Sequence, residues 1–267
     1  MLISRTPLRV SFLGGGTDLK EYYKNDFGAV LSTAINKYVY ITINDKFEND
    51  VRIKYSKTEN AESAEKLEHP LFREAMKHVG VTRGVEVTSM ADMPTRGSGL
   101  GSSSTFTVGL LNVLHKWKGM NADKEKLANE ACKIEIDVLK EPIGKQDQYA
   151  AAYGGLNYIK FNSDGSVDVQ PVKAKNNVLE ELQNNMSLFY TGIERPASTI
   201  LAEQKKDSAQ RDKSKILTEM RDLALETKKV IEKGNTNEFG ELLHKGWELK
   251  KQIVGGITSS GIDAIYE

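Results

Sequence analysis

Cysteine is nearly absent. Cys132 is alone among 267 residues, so neither a disulfide framework nor a cysteine-rich zinc site is available. Its expected place is the core, as a small apolar residue. Histidine is also scarce: His69, His78, His115 and His244 are scattered without HxxxH or HxxEH spacing, which argues against metal chemistry through imidazole. Neither sign of charge is in excess. With 37 Lys+Arg against 37 Asp+Glu, no global basic field advertises nucleic acid or an anionic membrane. No stretch approaches the roughly 18–20 consecutive apolar residues of a transmembrane helix. The opening "MLISRTPLRVSF" is charged too early for a signal peptide. The expectation is a soluble, reduced, cytoplasmic protein whose partner is a small molecule, with no nucleic acid and no membrane. What is present is 39% hydrophobic residues, enough for a core in one large or two modest domains.

The first two-thirds mix strand and helix patterns, and the last third is nearly all helical. "YVYITIN" (38–44) and "VRIKYS" (51–56) alternate with period two around "DKFEND" and predict an antiparallel hairpin. "GVEVTS" (84–89) predicts another strand. "GGLNYIKF" and "SVDVQPV" flank "NSDG", with Gly165 placed for positive φ, and predict a second hairpin. Helices are expected at 71–79, 102–117, 123–139 and 146–153, then a strand at 186–190 and long helices at 197–232 and 236–253. Ser259 or Ser260 reads as an N-cap with Asp263 in the following turn. A composition shift near 173–178 marks the expected domain boundary.

The stretch "TRGSGLGSSST" (95–105) carries three glycines and six serines or threonines. A flexible linker would be followed by more polar sequence. Instead Phe106, Leu110, Val113, Leu114 and Trp117 follow at helical spacing, so the stretch feeds the N-terminus of a core-packed helix. Serines 102–104 are expected to supply an N-cap, beside first-turn N–H groups that have no partner inside the helix. With the helix dipole behind them those donors suit a phosphate, and Gly97, Gly99 and Gly101 remove side chains that would block backbone approach. A capped helix after a tight turn explains one glycine and one serine, not three spaced glycines. The other phosphate loops fit poorly. Gly144-Lys145 is followed by Gln rather than Ser or Thr, "GSGLG" lacks the dinucleotide-binding spacing, and protein kinase signatures are missing.

Pro94-Thr95-Arg96-Gly97-Ser98-Gly99-Leu100-Gly101-Ser102-Ser103 resembles the second motif of the GHMP small-molecule kinases, Pro-x-x-x-Gly-Leu-Gly-Ser-Ser, with one extra residue after the proline. "PLRVSFLGGGTDL" (7–19) looks like the family's N-terminal motif, with Pro7, Arg9, Val10, Gly14, Thr17 and Asp18 in register. "PIGKQDQYAAAYGG" (142–155) resembles the segment that carries the catalytic aspartate, here Asp147. Together with "IEIDVL" and "YTGIERPAS", these segments look most like the bacterial D-glycero-D-manno-heptose 7-phosphate kinases, which phosphorylate the anomeric C1 hydroxyl on the way to GDP-heptose. L-Fucose kinases share parts of them.

The resemblance implies an α+β, two-domain GHMP kinase fold: an N-terminal mixed α/β domain of ribosomal-protein-S5-like type (1–175) that binds ATP and substrate, and a mainly helical α+β C-terminal domain (176–267). The family's third glycine-rich motif does not occur, so the C-terminal domain is expected to be incomplete. ATP and Mg²⁺ are the implied cofactors and a sugar phosphate the substrate. By the same resemblance Asp147 accepts or orients the proton of the attacking hydroxyl, and Arg9 stabilises the charge of the transferring phosphoryl group. Residues Arg96, Gly97, Ser98, Gly99, Leu100, Gly101, Ser102, Ser103 and Ser104 form the ATP loop. Ser103 offers an oxygen to Mg²⁺. The family's acidic metal ligand falls between Glu135 and Asp137 in spacing, and Glu135 is favoured. Asp18 is expected to accept hydrogen bonds from sugar hydroxyls, beside Gly14, Gly15, Gly16 and Thr17. Lys145, Arg73 and Arg195 are the candidate cations for the substrate's own phosphate. A kinase for another sugar such as L-fucose, and a non-catalytic nucleotide or sugar-phosphate sensor, are the alternatives.

Overall fold

The structure is a computed structural model that describes residues 1–94, 98–189, 191–192, 211–253 and 257–266. The chain divides into two compact units, one of residues 1–10, 34–141 and 147–154, the other of residues 11–33, 142–146 and 155–267. The segments interleave, so residues 1–175 contribute to both. Two strands, β1 (Leu2–Leu13) and β2 (Phe27–Asp45), pass from one unit into the other and pair with each other.

In the first unit the later part of β2 continues into a sheet with β5 (Val85–Ala91), β3 (Val51–Lys54) and β4 (Thr58–Ala61). The period-two patterns are honoured: Ile41, Ile43, Val51, Ile53, Val85 and Val87 are all buried on one face. The expected 38–56 hairpin is not formed. β5 lies between its two halves, antiparallel to β2 (Ile43 opposite Val87) and parallel to β3 (Ile53 opposite Val87). The connecting loop is held by the start of β5, through Lys46 N–H to Gly84 C=O at 2.9 Å and Gly84 N–H to Asp50 C=O at 2.8 Å. Alternation reports a half-buried strand and says nothing about its neighbour.

Three helices, α2 (Pro70–Val79), α3 (Ser102–Trp117) and α4 (Lys124–Cys132), contribute to the same core. Phe72 and Met76 of α2, Leu110 and Leu114 of α3, and Leu127 and Ala131 of α4 join it. Pro70 opens α2 and Gly80, at φ +75°, closes it. The predicted 123–139 helix is α-helical only to Cys132. It then widens into a π-helical turn, Lys133–Val138, closed by Leu139 N–H to Ile134 C=O at 2.9 Å. Cys132 is buried as expected.

In the second unit the first part of β2 pairs with β6 (Leu156–Asn162), and β6 pairs antiparallel with β7 (Val167–Pro171) through the expected hairpin, with Gly165 at φ +90°. The core joins Leu13, Ala29, Leu31 and Tyr158 to Val178 and Leu182 of helix α6 (Asn176–Asn185), to Leu217 and Met220 of α7 (Arg211–Lys233) and to Leu242 and Leu249 of α8 (Thr236–Ile253). The strand expected at 186–190 is not formed over 186–189, where Leu188 and Phe189 are exposed; Tyr190 lies outside the described residues, as does the 197–210 part of the expected long helix. The last helix, α9 (Ser260–Tyr266), starts where the capping signal put it, with Asp263 N–H on Ser259 C=O at 2.9 Å. Among the described residues no helix is long and apolar enough to cross a membrane.

Candidate active site

The loop before α3 is described from Ser98; Arg96 and Gly97 of the predicted ATP loop lie outside the described residues. Gly99 (φ +70°) and Gly101 (φ +72°) are left-handed, a conformation that costs any residue with a Cβ. The N-cap of α3 is Gly101, with no side-chain cap, rather than a serine. The left-handed turn delays the helix by a residue, so Ser102, Ser103 and Ser104 sit inside its first turn and Ser102 and Ser104 are buried. The first-turn N–H groups are thus left without a capping side chain at the positive end of the helix dipole, the arrangement that binds phosphate.

Arg9 and Asp147 close on this loop. Arg9 Nε and Nη2 both donate to Asp147 Oδ1, at 2.7 and 2.6 Å, and Arg9 Nη1 donates to Gly99 C=O at 2.7 Å. Arg9 N–H donates to Leu100 C=O at 3.2 Å. A Cβ on Gly101 would stand 3.2 Å from Arg9 Cγ, Arg9 Nε and Asp147 Oδ2. Gly101 is therefore the point where the loop admits the ion pair. Asp147 lies in the first turn of α5 (Gln146–Tyr153), which Glu125 of α4 anchors. The Tyr149 and Tyr153 hydroxyls donate to the two Glu125 oxygens, at 2.7 and 2.9 Å. Burial pushes both phenols up, Tyr153 to about 12, which keeps them donors.

Glu135 sits on the π-helical turn and is fully buried. Its Oε1 accepts from Ser103 Oγ at 3.0 Å and its Oε2 from Gln148 Nε2 at 2.7 Å. Burial pushes its carboxyl up to about 7, against the hydrogen bonds from Gln148, Ser104 and Ser103, and the Asp147 charge adds to the rise. Asp137, the alternative by spacing, is exposed. The donor set suits Mg²⁺, which takes one or two protein oxygens and completes its shell with phosphates and waters. Among the described residues no cage of three or more His, Cys, Asp or Glu exists, and a kinase magnesium site needs none.

The second unit holds the other predicted residues. Thr17 Oγ1 bonds Gly14 C=O and Ala29 C=O, at 2.8 and 2.9 Å, and accepts from Ala29 N–H at 2.9 Å. A Cβ on Gly14 would fall 2.0 Å from Ala29 C=O. Gly14 and Thr17 thus stitch the 14–17 loop to β2. Asp18 is 2% exposed, and its Oδ1 accepts from Gly16 N–H at 3.0 Å and Gln146 Nε2 at 3.2 Å, its Oδ2 from Gln146 N–H at 3.2 Å. Its oxygens already clamp two loops together. Gly144 is required there, since a Cβ on it would lie 2.0 Å from Asp18 Oδ2.

Of the three candidate cations, Arg73 is spent on Leu67 C=O, Glu68 C=O and Glu74 at the start of α2. Lys145 donates to Gly165 C=O at 2.6 Å and lies over the Tyr23 ring. Arg195 is outside the described residues. The structure adds residues that sequence reading missed. Gln146 accepts from Ser11 Oγ at 2.8 Å while binding Asp18. Lys250 donates to Gly15 C=O at 3.1 Å. It is placed by packing: Gly246, one turn earlier on α8, sits so close to Leu13 that a Cβ would fall 2.1 Å from Leu13 Cδ2. The pair Gln146/Gln148 around Asp147 was visible as "KQDQ"; Lys250 had no local signal in "ELKKQ".

A loop of left-handed glycines opens a buried helix with an Arg–Asp pair against it, and the chain has the GHMP kinase fold. Residues 52–155 match the model of the GHMP kinases N terminal domain. The chain is similar to the D-glycero-alpha-D-manno-heptose 7-phosphate kinase of Campylobacter jejuni subsp. jejuni serotype O:2, 29% identical over 99% of this chain and 81% of that one. The crystal structure of a D-glycero-D-manno-heptose 1-phosphate kinase from Bacteriodes thetaiotaomicron superposes with TM-score 0.80 at 29% identity, over 96% of this chain and 81% of that one. The L-fucokinase/L-fucose-1-P guanylyltransferase of Bacteroides fragilis is 30% identical over 73% of this chain, which spans 21% of that longer protein.

Proposed function

We propose that this protein transfers the γ-phosphate of ATP to the C1 hydroxyl of D-glycero-D-manno-heptose 7-phosphate. The observation that carries the reading is the Arg9–Asp147 pair against Gly101, at the uncapped start of α3. A protein that only binds nucleotide has no need of a carboxylate held there, which counts against a sensor.

In this reading the α3 N-terminus and the 98–104 loop bind the nucleotide phosphates. Ser103 and Glu135 hold Mg²⁺, which neutralises phosphate charge when bound. Phosphoryl transfer depends mainly on positioning and charge stabilisation. Asp147 Oδ1 is engaged by two Arg9 donors, which leaves Oδ2 as the acceptor that orients the sugar hydroxyl and takes its proton. The Arg9 guanidinium supports the charge spread over the transferring group. Asp18 acts by fixing Gly16 and Gln146, so that the 14–16 loop and the Gln146 amide are preset for sugar hydroxyls. Lys250, beside Gly15, is the cation we assign to the substrate's own phosphate.

Likeness to the heptose kinase over nearly the whole chain supports heptose 7-phosphate as acceptor. Comparable identity to the fucokinase makes L-fucose the competing acceptor. A panel of ATP-consumption assays against heptose 7-phosphate, unphosphorylated heptose, mannose 6-phosphate, L-fucose and galactose decides. Heptose 7-phosphate should give the highest kcat/KM, with a loss of at least about tenfold when the phosphate is removed and its cation is left unpaired. Equal kcat/KM for heptose and heptose 7-phosphate, or preference for L-fucose, would reject the assignment.

A further inference from the structure

Gln148 is fully buried, one residue beyond Asp147, and has no part in the roles assigned so far. Its Nε2 donates to Glu135 Oε2 at 2.7 Å. Its other amide atom, Oε1, is buried and has no hydrogen-bond partner among the described residues. A buried amide oxygen without a donor is destabilising, so such an atom calls for an explanation. Reversing the amide would remove the donor from Glu135 and leave the nitrogen orphaned instead, which is no better. The other Glu135 oxygen is held by Ser103. The three side chains thus form one chain of polar atoms, Ser103–Glu135–Gln148, that ends in an unused acceptor.

We infer that Gln148 is the positioning residue of the Ser103–Glu135 cation site, locking the carboxylate with its amide N–H and offering its amide oxygen to a water that the cation brings. The inference rests on the magnesium role given above to Ser103 and Glu135. It follows from the chemistry of the ion, because Mg²⁺ sheds its waters reluctantly and keeps several when bound. Each retained water is a strong donor that must find an acceptor in a buried site. Residues that orient ligands in this way affect metal affinity about as strongly as some ligands do. Because Gln148 and Asp147 share the first turn of α5, seating the cation would also fix the turn that carries the base.

The test uses Mn²⁺ as probe, read as loss of the free-ion paramagnetic resonance signal in the presence of AMP-PNP, on the full chain. Gln148→Met keeps the volume and removes both polar atoms. It should weaken Mn²⁺ binding by about 10–100-fold. Its unfolding temperature in EDTA should stay within a few degrees of wild type, whereas a purely structural glutamine would show the reverse pattern. Should the methionine variant not fold, Gln148→Asn, whose shorter amide cannot span to Glu135, should show a loss of several fold. Glu135→Gln separates the layers. If it binds Mn²⁺ like wild type, the cation site itself is misplaced and the inference falls with it. If Glu135→Gln loses binding while Gln148→Met and Gln148→Asn retain wild-type affinity, the inference alone is overturned.

Discussion

Two glycines of the loop before α3 have nearly the same backbone and opposite surroundings, which allows a controlled perturbation. Gly99→Ala and Gly101→Ala each force a Cβ into the left-handed region, at φ +70° and +72°. Each should lose about 1–2 kcal/mol for that alone. For a chain of this size that corresponds to a fall in Tm of roughly 2–6 °C. Beyond it the two diverge. Nothing lies within 4 Å of the Cβ position at Gly99, whereas at Gly101 it meets Arg9 Cγ, Arg9 Nε and Asp147 Oδ2, all at 3.2 Å. Carbon contacts are comfortable at about 3.5–4.0 Å, so the ion pair must retreat by a few tenths of an ångström. Misplacing a catalytic group by about 1 Å can cost 10²-fold, so a shift of a few tenths of an ångström should lower kcat by several fold to about tenfold. The open face at Gly99 is where the nucleotide phosphates are expected, so its alanine variant should act on KM for ATP. The assay is steady-state ATP turnover beside thermal unfolding of both variants. Equal kcat losses, or unchanged kcat in a folded Gly101→Ala variant, would refute the placement of Arg9 and Asp147 against the loop.

Three further outcomes are expected. Lys250→Met should raise KM for the phosphorylated sugar by about tenfold or more and leave KM for the unphosphorylated sugar within a few fold; parallel changes in both would remove Lys250 from phosphate binding. Gly144→Ala drives a Cβ to 2.0 Å from Asp18 Oδ2 and should destabilise by about 1–3 kcal/mol or more, measured by thermal unfolding, with partial relief when Asp18→Ala is added. In EDTA the fully buried Glu135, raised from 4.5 to about 7, keeps its proton in the folded protein after the unfolded chain has released it. Stability should therefore fall as pH rises from about 4.5 to 7 and level off above, by on the order of 3 kcal/mol in all. Glu135→Gln should flatten that slope in a comparison of unfolding temperatures across the range.

Local patterns carried most of this architecture. The α3 boundaries follow from the apolar spacing of Phe106 to Trp117, and the β6–β7 hairpin from "NSDG". Strand neighbours were illegible: the 38–56 hairpin is split by β5, because the docking of Gly84 between Lys46 and Asp50 is a long-range event. The Ser102–Ser104 cap failed for a different reason. A left-handed Gly101 moves the helix start past the position that serine preference marks. The strand expected at 186–190 is not formed over 186–189, where Leu188 and Phe189 are exposed. At the candidate site, Asp147, Arg9, Ser103 and Glu135 were nameable because each sits in a motif. Their contacts were not, since Arg9 and Asp147 are 138 positions apart and Ser103 and Glu135 are 32 apart. Lys250 could be found only once Gly246 was seen against Leu13.

The central claim is that Asp147 is the base of a sugar kinase rather than a carboxylate that merely holds Arg9. The direct measurement is kcat of Asp147→Asn beside calorimetric isotherms for ATP and heptose 7-phosphate. The amide is nearly isosteric, and its oxygen still accepts from Arg9, so both affinities should stay within a few fold. Turnover should fall by about 10²–10⁴, the range for loss of a general base. Wild-type turnover in the asparagine variant would contradict the account.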